Sequence, residues 1–398
     1  MHLDVVALSS CQCILPGRPV SSDPILLVGN YLPDRQVSMQ RYAELVVQSL
    51  RLLEVPARLV RPEPILSCWF PARSRAFRWA GFLDKLVLFP LRLLWIVHRP
   101  GRTRPALVHI LDQGNGVYLP LIQCCPHLLT LHDLISLRAG TGQPSANPSP
   151  RFSLYQWINA CCLRRCRHLL CVSEASRSDV LALWGQPHKR LTLLPNPLDP
   201  FFLQPVPQRH HVLPIHYWLH VGSSAWYKNR SMVLRIHAEL LDRGIPIPLL
   251  LIGEPLNAQE TALIVRLGSG EWITAFSDVD DSLVRSAYAH AEGLIFPSLE
   301  EGFGWPVLEA MAQGCPVYCS NRPPLTELIA DLGVPIDPLD PLAAASTIEA
   351  DWRDQAARCQ RREPAKQRAA SYNLTAYGAE LKTLYTAVAG LPLCELTL

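Results

Sequence analysis

Charged side chains are scarce in this chain: they make up 18% of its 398 residues, 37 basic against 34 acidic, for a formal net charge of +3. No basic excess gathers into the electrostatic footprint that nucleic-acid binding requires. No apolar run reaches the ~20 residues needed to cross a bilayer as a helix. Leu8-Ser9-Ser10-Cys11 imitates a lipoprotein cleavage site, but Asp4 stands where a basic segment belongs and the apolar run before it is only a few residues. Paired C-x2-C spacing is missing as well. The densest thiol group, Cys161, Cys162, Cys166 and Cys171 with His168, therefore reads as reduced, core-filling cysteine rather than structural zinc, as does the odd total of 13. No G-x-G-x-x-G follows the first strand, which argues against a dinucleotide-dependent enzyme. A 49% hydrophobic content excludes disorder, and 36 prolines scattered without period exclude a fibre. At roughly 100–200 residues per domain, a globular protein of two domains is left.

Short continuous apolar runs mark strands buried on both faces: Ile25–Gly29, Ala106–Leu111, Leu128–His132, Arg167–Ser173 and Arg190–Asn196. Between the first two, Met39, Tyr42, Leu45, Val46, Leu50 and Leu53 recur at helical spacing from Ser38 onward. The segment Asp199–Pro214 carries no period and several prolines, and reads as a linker. Strands then restart at Ile215–Val221, Pro248–Ile252, Glu271–Ala275, Gly293–Pro297 and Pro316–Ser320, with a helix over Ser231–Arg243. Two halves of alternating strand and helix imply two doubly wound parallel sheets, whose ligands sit beyond the carboxyl ends of the strands. The stretch Phe82–Val97, with Arg73, Arg75, Arg78, Arg99, Arg102 and Arg104 on its flanks, has two readings: an amphipathic helix packed on a sheet, or one lying in a membrane interface.

Chemistry concentrates at three strand ends. After the run ending at Pro297, a loop carries Glu300, Glu301, Gly302 and Gly304; Pro306 then opens a helix that holds Glu309 and stops at Gly314. Glycines ahead of a helix N-terminus bring backbone N–H groups close to an anion. The carboxylates Glu301 and Glu309 suit sugar or ribose hydroxyls rather than phosphate; the bland reading makes them helix-start charges. In Leu219-HVGSSAWYKNR-Arg230, a strand ends at Gly222 and Ser223, and Lys228, with Arg230 as a further candidate, is placed to neutralise a diphosphate. In Leu129-TLHDLISLR-Arg138, His132 and Asp133 close a strand facing the expected cleft.

These segments resemble the retaining glycosyltransferases of family four. PSLEEGFGWPVLEAMAQGCPV is similar to that family's E-x7-E segment, and HVGSSAWYKNR to its diphosphate-binding strand end. TLHDLISLR is similar to its active-site histidine strand, and VSEASRSDV with LLPNPLD to the pattern that ends its first domain. VHILDQGNGVYLPL resembles an acceptor-side segment of some members. The likeness runs over about residues 24–390 and implies a GT-B fold, two Rossmann-like doubly wound domains facing a cleft. It divides the chain into a loose extension over 1–22, an acceptor-side domain over 23–205, a nucleotide-sugar domain over 206–375, and a helix over 376–398 that packs back towards the first domain.

The resemblance implies transfer of a sugar from a nucleotide diphosphate sugar to the hydroxyl of a glycan or lipid-linked glycan, with retention and without metal or other cofactor. His132 and Glu301 would lie at the reacting sugar. Gly222, Ser223, Lys228, Gly302, Phe303, Gly304 and Glu309 would hold the donor, and Asp133, Asp112 and Arg35 would stand on the acceptor side. Asp278, Asp280 and Asp281 are spaced like metal ligands, but the resemblance puts them in the loop that contacts the base. Ser223 replaces a frequent arginine, Asn196-Pro197-Leu198-Asp199 replaces Asn-Gly-Val-Asp, and Arg35-Gln36-Val37-Ser38 replaces the first loop's glycines. The competing functions are a catalytically degenerate sugar-nucleotide-binding protein and a GT-B nucleotide-sugar epimerase. The protein is expected in the cytoplasm, in polysaccharide biosynthesis, with residues 73–104 as a peripheral contact to the inner membrane face.

Overall fold

The computed structural model describes residues 25–72, 74–98, 104–140, 150–185, 190–206 and 208–390. The expected extension over 1–22, with Cys11 and Cys13, lies outside them, as do Arg73, Arg99, Arg102 and the last eight residues.

The first sheet contains β1 (Ile25–Val28), β2 (Ala57–Val60), β3 (Val108–Ile110), β4 (His127–Leu131), β5 (His168–Cys171) and β6 (Arg190–Leu193). The second contains β7 (Trp218–Gly222), β8 (Leu249–Gly253), β9 (Ile273–Phe276), β10 (Gly293–Phe296), β11 (Val317–Ser320) and β12 (Val334–Ile336). Their orders are β2-β1-β3-β4-β5-β6 and β12-β11-β10-β7-β8-β9. Every described pairing is parallel. All residues of β1, β4, β10 and β11 are buried, as strands covered on both faces must be. The order of strands reverses between β1 and β3 in one sheet and between β7 and β10 in the other, and such switch points open crevices at the carboxyl ends.

The helices that bear on these crevices are α1 (Val37–Leu52), α2 (Arg75–Leu83), α3 (Phe89–His98), α4 (Arg230–Asp242), α5 (Ala258–Leu267), α6 (Asp281–His290), α7 (Trp305–Ala312) and α8 (Leu374–Ala389). The expected helix from Ser38 is α1, which buries Tyr42, Leu45, Val46 and Leu50. β2 and β12 were not anticipated. Each is an outer strand of three or four residues, one with Arg58 exposed and the other with Pro335 at its centre, so neither shows an apolar run.

The chain leaves the first sheet at Leu193 and enters the second at Trp218. It comes back through α8, whose Tyr377, Leu381 and Tyr385 join the core formed by β1 and α1. Gly378 is what permits the close approach of α8 to α1: a Cβ there would stand 2.8 Å from the Ser49 carbonyl oxygen. Tyr385 and Thr130 hydrogen-bond the two ring nitrogens of buried His109, at 2.6 and 2.7 Å, and Tyr42 bonds both Thr130 and Tyr377, at 2.9 and 2.8 Å. This buried network runs from the last described helix to the strand that carries His132.

The stretch 82–97 is neither a single helix nor fully packed on the sheet. α2 and α3 join through a π turn over Asp84–Leu88. Asp84 is buried there, accepting from the backbone N–H groups of Leu66 and Ser67 and from the Tyr31 hydroxyl. Phe89, Leu93 and Val97 face the core, while Trp79, Phe82, Leu83, Leu91 and Trp95 face out. No helix among the described residues is long and apolar enough to cross a membrane. Of the cysteine group, Cys162, Cys166 and Cys171 are buried and Cys161 is exposed.

Candidate active site

The second sheet's switch point brings the ends of β7 and β10 together. After β7 the chain turns through Ser223 and Ser224 into a single 3-10 turn that presents Lys228. After β10 it runs through Ser298–Gly304 into α7. Lys228 Nζ donates to both oxygens of Glu301, at 2.7 and 3.0 Å, and lies over the faces of Phe296 and Tyr227. Both side chains are largely buried, so each compensates the other's charge where water is scarce.

At Gly302 the backbones of the two domains come into close contact. The Gly302 carbonyl accepts from Ser173 Oγ at 2.7 Å, and the Ser176 hydroxyl reaches the His132 carbonyl at 2.8 Å. Both serines belong to the Val172–Val180 motif that the sequence shows. A Cβ on Gly302 would sit 2.2 Å from the His132 carbonyl oxygen, a distance only glycine permits. Gly304, with φ of 104°, then turns the chain into α7 as its N-cap. The Phe303 side chain goes instead into the core against Trp305 and Tyr372. Arg138 adds a second tie between the domains, to Glu300 at 3.2 Å.

On the first domain's side, His132 is buried at the end of β4, edge-on to Tyr42 with ring centroids 4.6 Å apart. Its Nε2 lies 3.0 Å from the Leu111 carbonyl, which assigns the ring proton to Nε2 and leaves Nδ1 as an acceptor. Burial pulls its pKa below the usual histidine value, against the raising effect of Asp112, so the ring is neutral. Asp133 is pushed up to about 6, mainly by burial, with Asp112 and Glu301 adding to it and the Ile135 N–H and Lys228 opposing. Asp112 lies at the first sheet's switch point, accepting from the Gly114 N–H at 2.7 Å and from the Asn30 side chain. Asn30 also accepts from Asn115 at 2.9 Å. Arg35 is different: it ends a 3-10 turn in the left-handed region with its side chain exposed, and no hydrogen bond or ion pair of that side chain joins it to Asp112 or Asp133.

Glu309 lies buried in α7, 5% exposed. Tyr288 donates to one of its oxygens at 3.0 Å and Arg41 to the other at 3.1 Å. Arg41 comes from α1 of the first domain and also forks onto Asp281 at 2.6 and 2.7 Å. Burial raises the Glu309 pKa to about 7, against Arg41 and the Tyr288 hydrogen bond, which lower it. Sequence reasoning missed Arg41 and Tyr288 entirely. Asp281, read as part of a base-contacting loop, pairs with Arg41, while Asp280 caps α6 by accepting from Leu283 N. Arg230 corrects one expectation: it is not directed at a diphosphate. Its side chain is buried at the start of α4, beside Glu260 of α5 and bonded to the Glu254 carbonyl. Ser223 keeps its hydroxyl local, accepting from Ala225 N at 3.4 Å, and Gly222 ends β7 in register with Gly253.

Thus His132, Asp133, Asp112, Lys228, Glu301, Gly302, Gly304 and Glu309 line the facing ends of the two sheets, while the exposed Arg35 side chain lies on the loop after β1. Residues 53–201 match the family described as Glycosyltransferase Family 4, and residues 216–369 match Glycosyl transferases group 1. The chain belongs to family four of the glycosyltransferases. Its fold is GT-B: sucrose-phosphate synthase from Thermosynechococcus elongatus superposes with a TM-score of 0.72 over 92% of this chain and 99% of that one, at 18% identity. Among curated relatives, O-antigen chain mannosyltransferase B of Escherichia coli is 32% identical over 202 residues, 47% of this chain and 53% of that protein. MMP alpha-(1→4)-mannosyltransferase of Mycolicibacterium hassiacum is 31% identical over 173 residues, 43% of this chain and 41% of that one. The matched segment of this family-four chain therefore spans about half the length of these relatives.

Proposed function

We propose that this protein transfers a hexose from a nucleotide diphosphate sugar to an acceptor hydroxyl, with retention of anomeric configuration and without a divalent metal. The observation that carries the reading is the buried Lys228–Glu301 pair at the switch point of the second sheet, 2.7 Å long, with His132 and Asp133 opposite. A diphosphate entering there exchanges one anionic partner of Lys228 for another, and backbone amides around Gly302, Phe303 and Gly304, ahead of α7, add fixed donors. Glu309 accepts the ribose hydroxyls. Neutral His132 offers Nδ1 to a hydroxyl of the sugar. Names that include mannosyltransferase among the relatives support a hexose donor.

Retention follows from a same-face route. The bond from C1 to the phosphate oxygen breaks as the acceptor oxygen bonds C1 from the same side, and the acceptor's proton passes to the departing phosphate. A fixed cation and aimed amides supply the stabilisation that the leaving diphosphate needs. Turnover should survive EDTA, and NMR of the product should show the donor's anomeric configuration. Loss of activity in EDTA restored by manganese, or an inverted product, would overturn these parts of the reading.

The acceptor is proposed to be presented at an anionic membrane surface. Trp79 and Trp95 are 56% and 58% exposed, and Arg75 and Arg78 of α2 line an open hollow with Trp79 and Phe82. Apolar rings beside cations suit the headgroup region. Lys85 and Arg92 do not share this role, being paired with Asp34 and Glu63. Vesicles containing phosphatidylglycerol should sediment the protein at low salt, and Arg75→Glu with Arg78→Glu should abolish this. Equal sedimentation of the variant, or none of the wild type, would refute the membrane contact.

A further inference from the structure

Arg41 sits where no motif of the sequence points, yet it is the one described side chain that bonds a first-domain helix directly to the Glu309 carboxylate. Its guanidinium bridges two carboxylates of the other domain, Glu309 at 3.1 Å and Asp281 at 2.6 and 2.7 Å, and it lies over the Phe202 ring at 5.4 Å. The groups facing Glu309 come from every side: Arg41 from α1, Tyr288 and Asp281 from α6, and Asp199 from the linker. Among them Arg41 is the cation; Tyr288 is a neutral donor, and the two aspartates are repulsive. Arg41 and Tyr288 each take one oxygen of Glu309, and each oxygen keeps a second lone-pair direction for a hydroxyl.

We propose that Arg41 is a positioning residue of the donor site: it clamps the Glu309 carboxylate in the orientation and charge that ribose hydroxyls require, and its grip on Asp281 joins that clamp to closure of the two domains. The proposal rests on the assignment of Glu309 to the ribose. Tyr42, the next residue along α1, packs against the ring of His132, so the same helix supports the ribose end and the sugar end of the cleft. A nucleotide sugar spanning the cleft then meets Glu309 and His132, each supported from α1.

The sign of the effect follows from the chemistry of the carboxylate. Ionised Glu309 accepts two hydroxyl hydrogens, whereas the protonated form loses acceptor capacity, so nucleotide affinity should rise with pH through about 7. Removing the cation favours the protonated form and moves that midpoint up. An opposite charge at this distance lowers a carboxylate pKa by about 1–3, so Arg41→Gln should raise the midpoint by at least about one pH unit. At pH 7, where the ionised fraction drops from about one half to about one eleventh, its affinity should then fall at least about fivefold.

The test is calorimetric titration of UDP and of GDP into wild type, Arg41→Gln and Arg41→Lys between pH 6 and 9, with the thermal midpoint of each variant as a folding control. The ratio of variant to wild type at each pH cancels titration of the nucleotide's own phosphate. Arg41→Lys keeps a cation without the fork, so its midpoint should stay near wild type while its affinity falls less than that of Arg41→Gln. An unchanged midpoint in Arg41→Gln overturns the proposal, whether its affinity is uniformly lower, unaltered or higher; a higher affinity would make Arg41 a competitor of the nucleotide. If neither UDP nor GDP binds wild type, the donor-site assignment itself fails, and the inference with it.

Discussion

Replacing Gly302 with alanine adds one methyl group at the contact between the domains. The new Cβ would lie 2.2 Å from the His132 carbonyl oxygen, 2.8 Å from its carbon and 3.2 Å from Asp133 Cβ. The first two neighbours are backbone at the end of a fully buried strand, so neither can swing aside. Ordinary carbon–oxygen contact begins at roughly 3.2 Å, so the loop ahead of α7 must withdraw by about 1 Å. Ser173 resists this, since it holds the Gly302 carbonyl at 2.7 Å. The cheapest relief is to open the cleft, which separates Lys228 and Glu301 from His132 and leaves both domain cores intact. A displacement of about 1 Å in reacting groups can cost about 10²-fold in rate, equivalent to about 2.7 kcal/mol of transition-state stabilisation. Gly302→Ala should accordingly lower kcat/KM about a hundredfold, read by release of nucleoside diphosphate, and shift Tm by no more than a few degrees. Wild-type kcat/KM in this variant would refute the claim that the reaction needs this contact.

Glu309→Ala should raise KM for the donor about tenfold or more while kcat changes less, because it removes a contact to the ribose rather than to the reacting centre; an unchanged KM removes the assignment. Asp133→Asn should stabilise the protein at neutral pH. With its pKa raised to about 6 in the fold, Asp133 makes the wild type lose stability as pH rises from about 4 to 6. The variant, which keeps the hydrogen bond from Ile135 N, should escape that loss by an amount on the order of 1–3 kcal/mol. Tm against pH tests this, and a variant less stable than wild type at pH 7 contradicts it. Tyr385→Phe leaves one nitrogen of buried His109 unbonded and should cost about 1–3 kcal/mol of stability in denaturant unfolding; a cost near zero would show that the network does not anchor α8.

How much of this was legible beforehand follows from range in the sequence. The strands buried on both faces announce themselves as apolar runs, and the loops that follow them carry glycines, carboxylates and a lysine within a few positions of one another. The E-x7-E loop, the His132 strand and the Lys228 turn could therefore be read directly. The Lys228–Glu301 pair joins residues 73 apart, and Arg41 reaches Glu309 across 268 positions, so no local pattern encodes either contact. The error at Arg230 has the same origin. A basic residue at a helix start reads as an anion ligand until α5 is folded beside it and brings Glu260 to 3.4 Å.

The central claim is that the cleft between these two sheets takes a nucleotide diphosphate sugar and transfers its sugar. The direct measurement is incubation of the protein with a panel of UDP- and GDP-linked hexoses, with mass-spectrometric detection of free nucleoside diphosphate and of hexose or its conjugate. At least one donor should be split by wild type, and Lys228→Ala should reduce that rate about a hundredfold or more. Equal cleavage by Lys228→Ala, or no cleavage of any donor, would contradict the account.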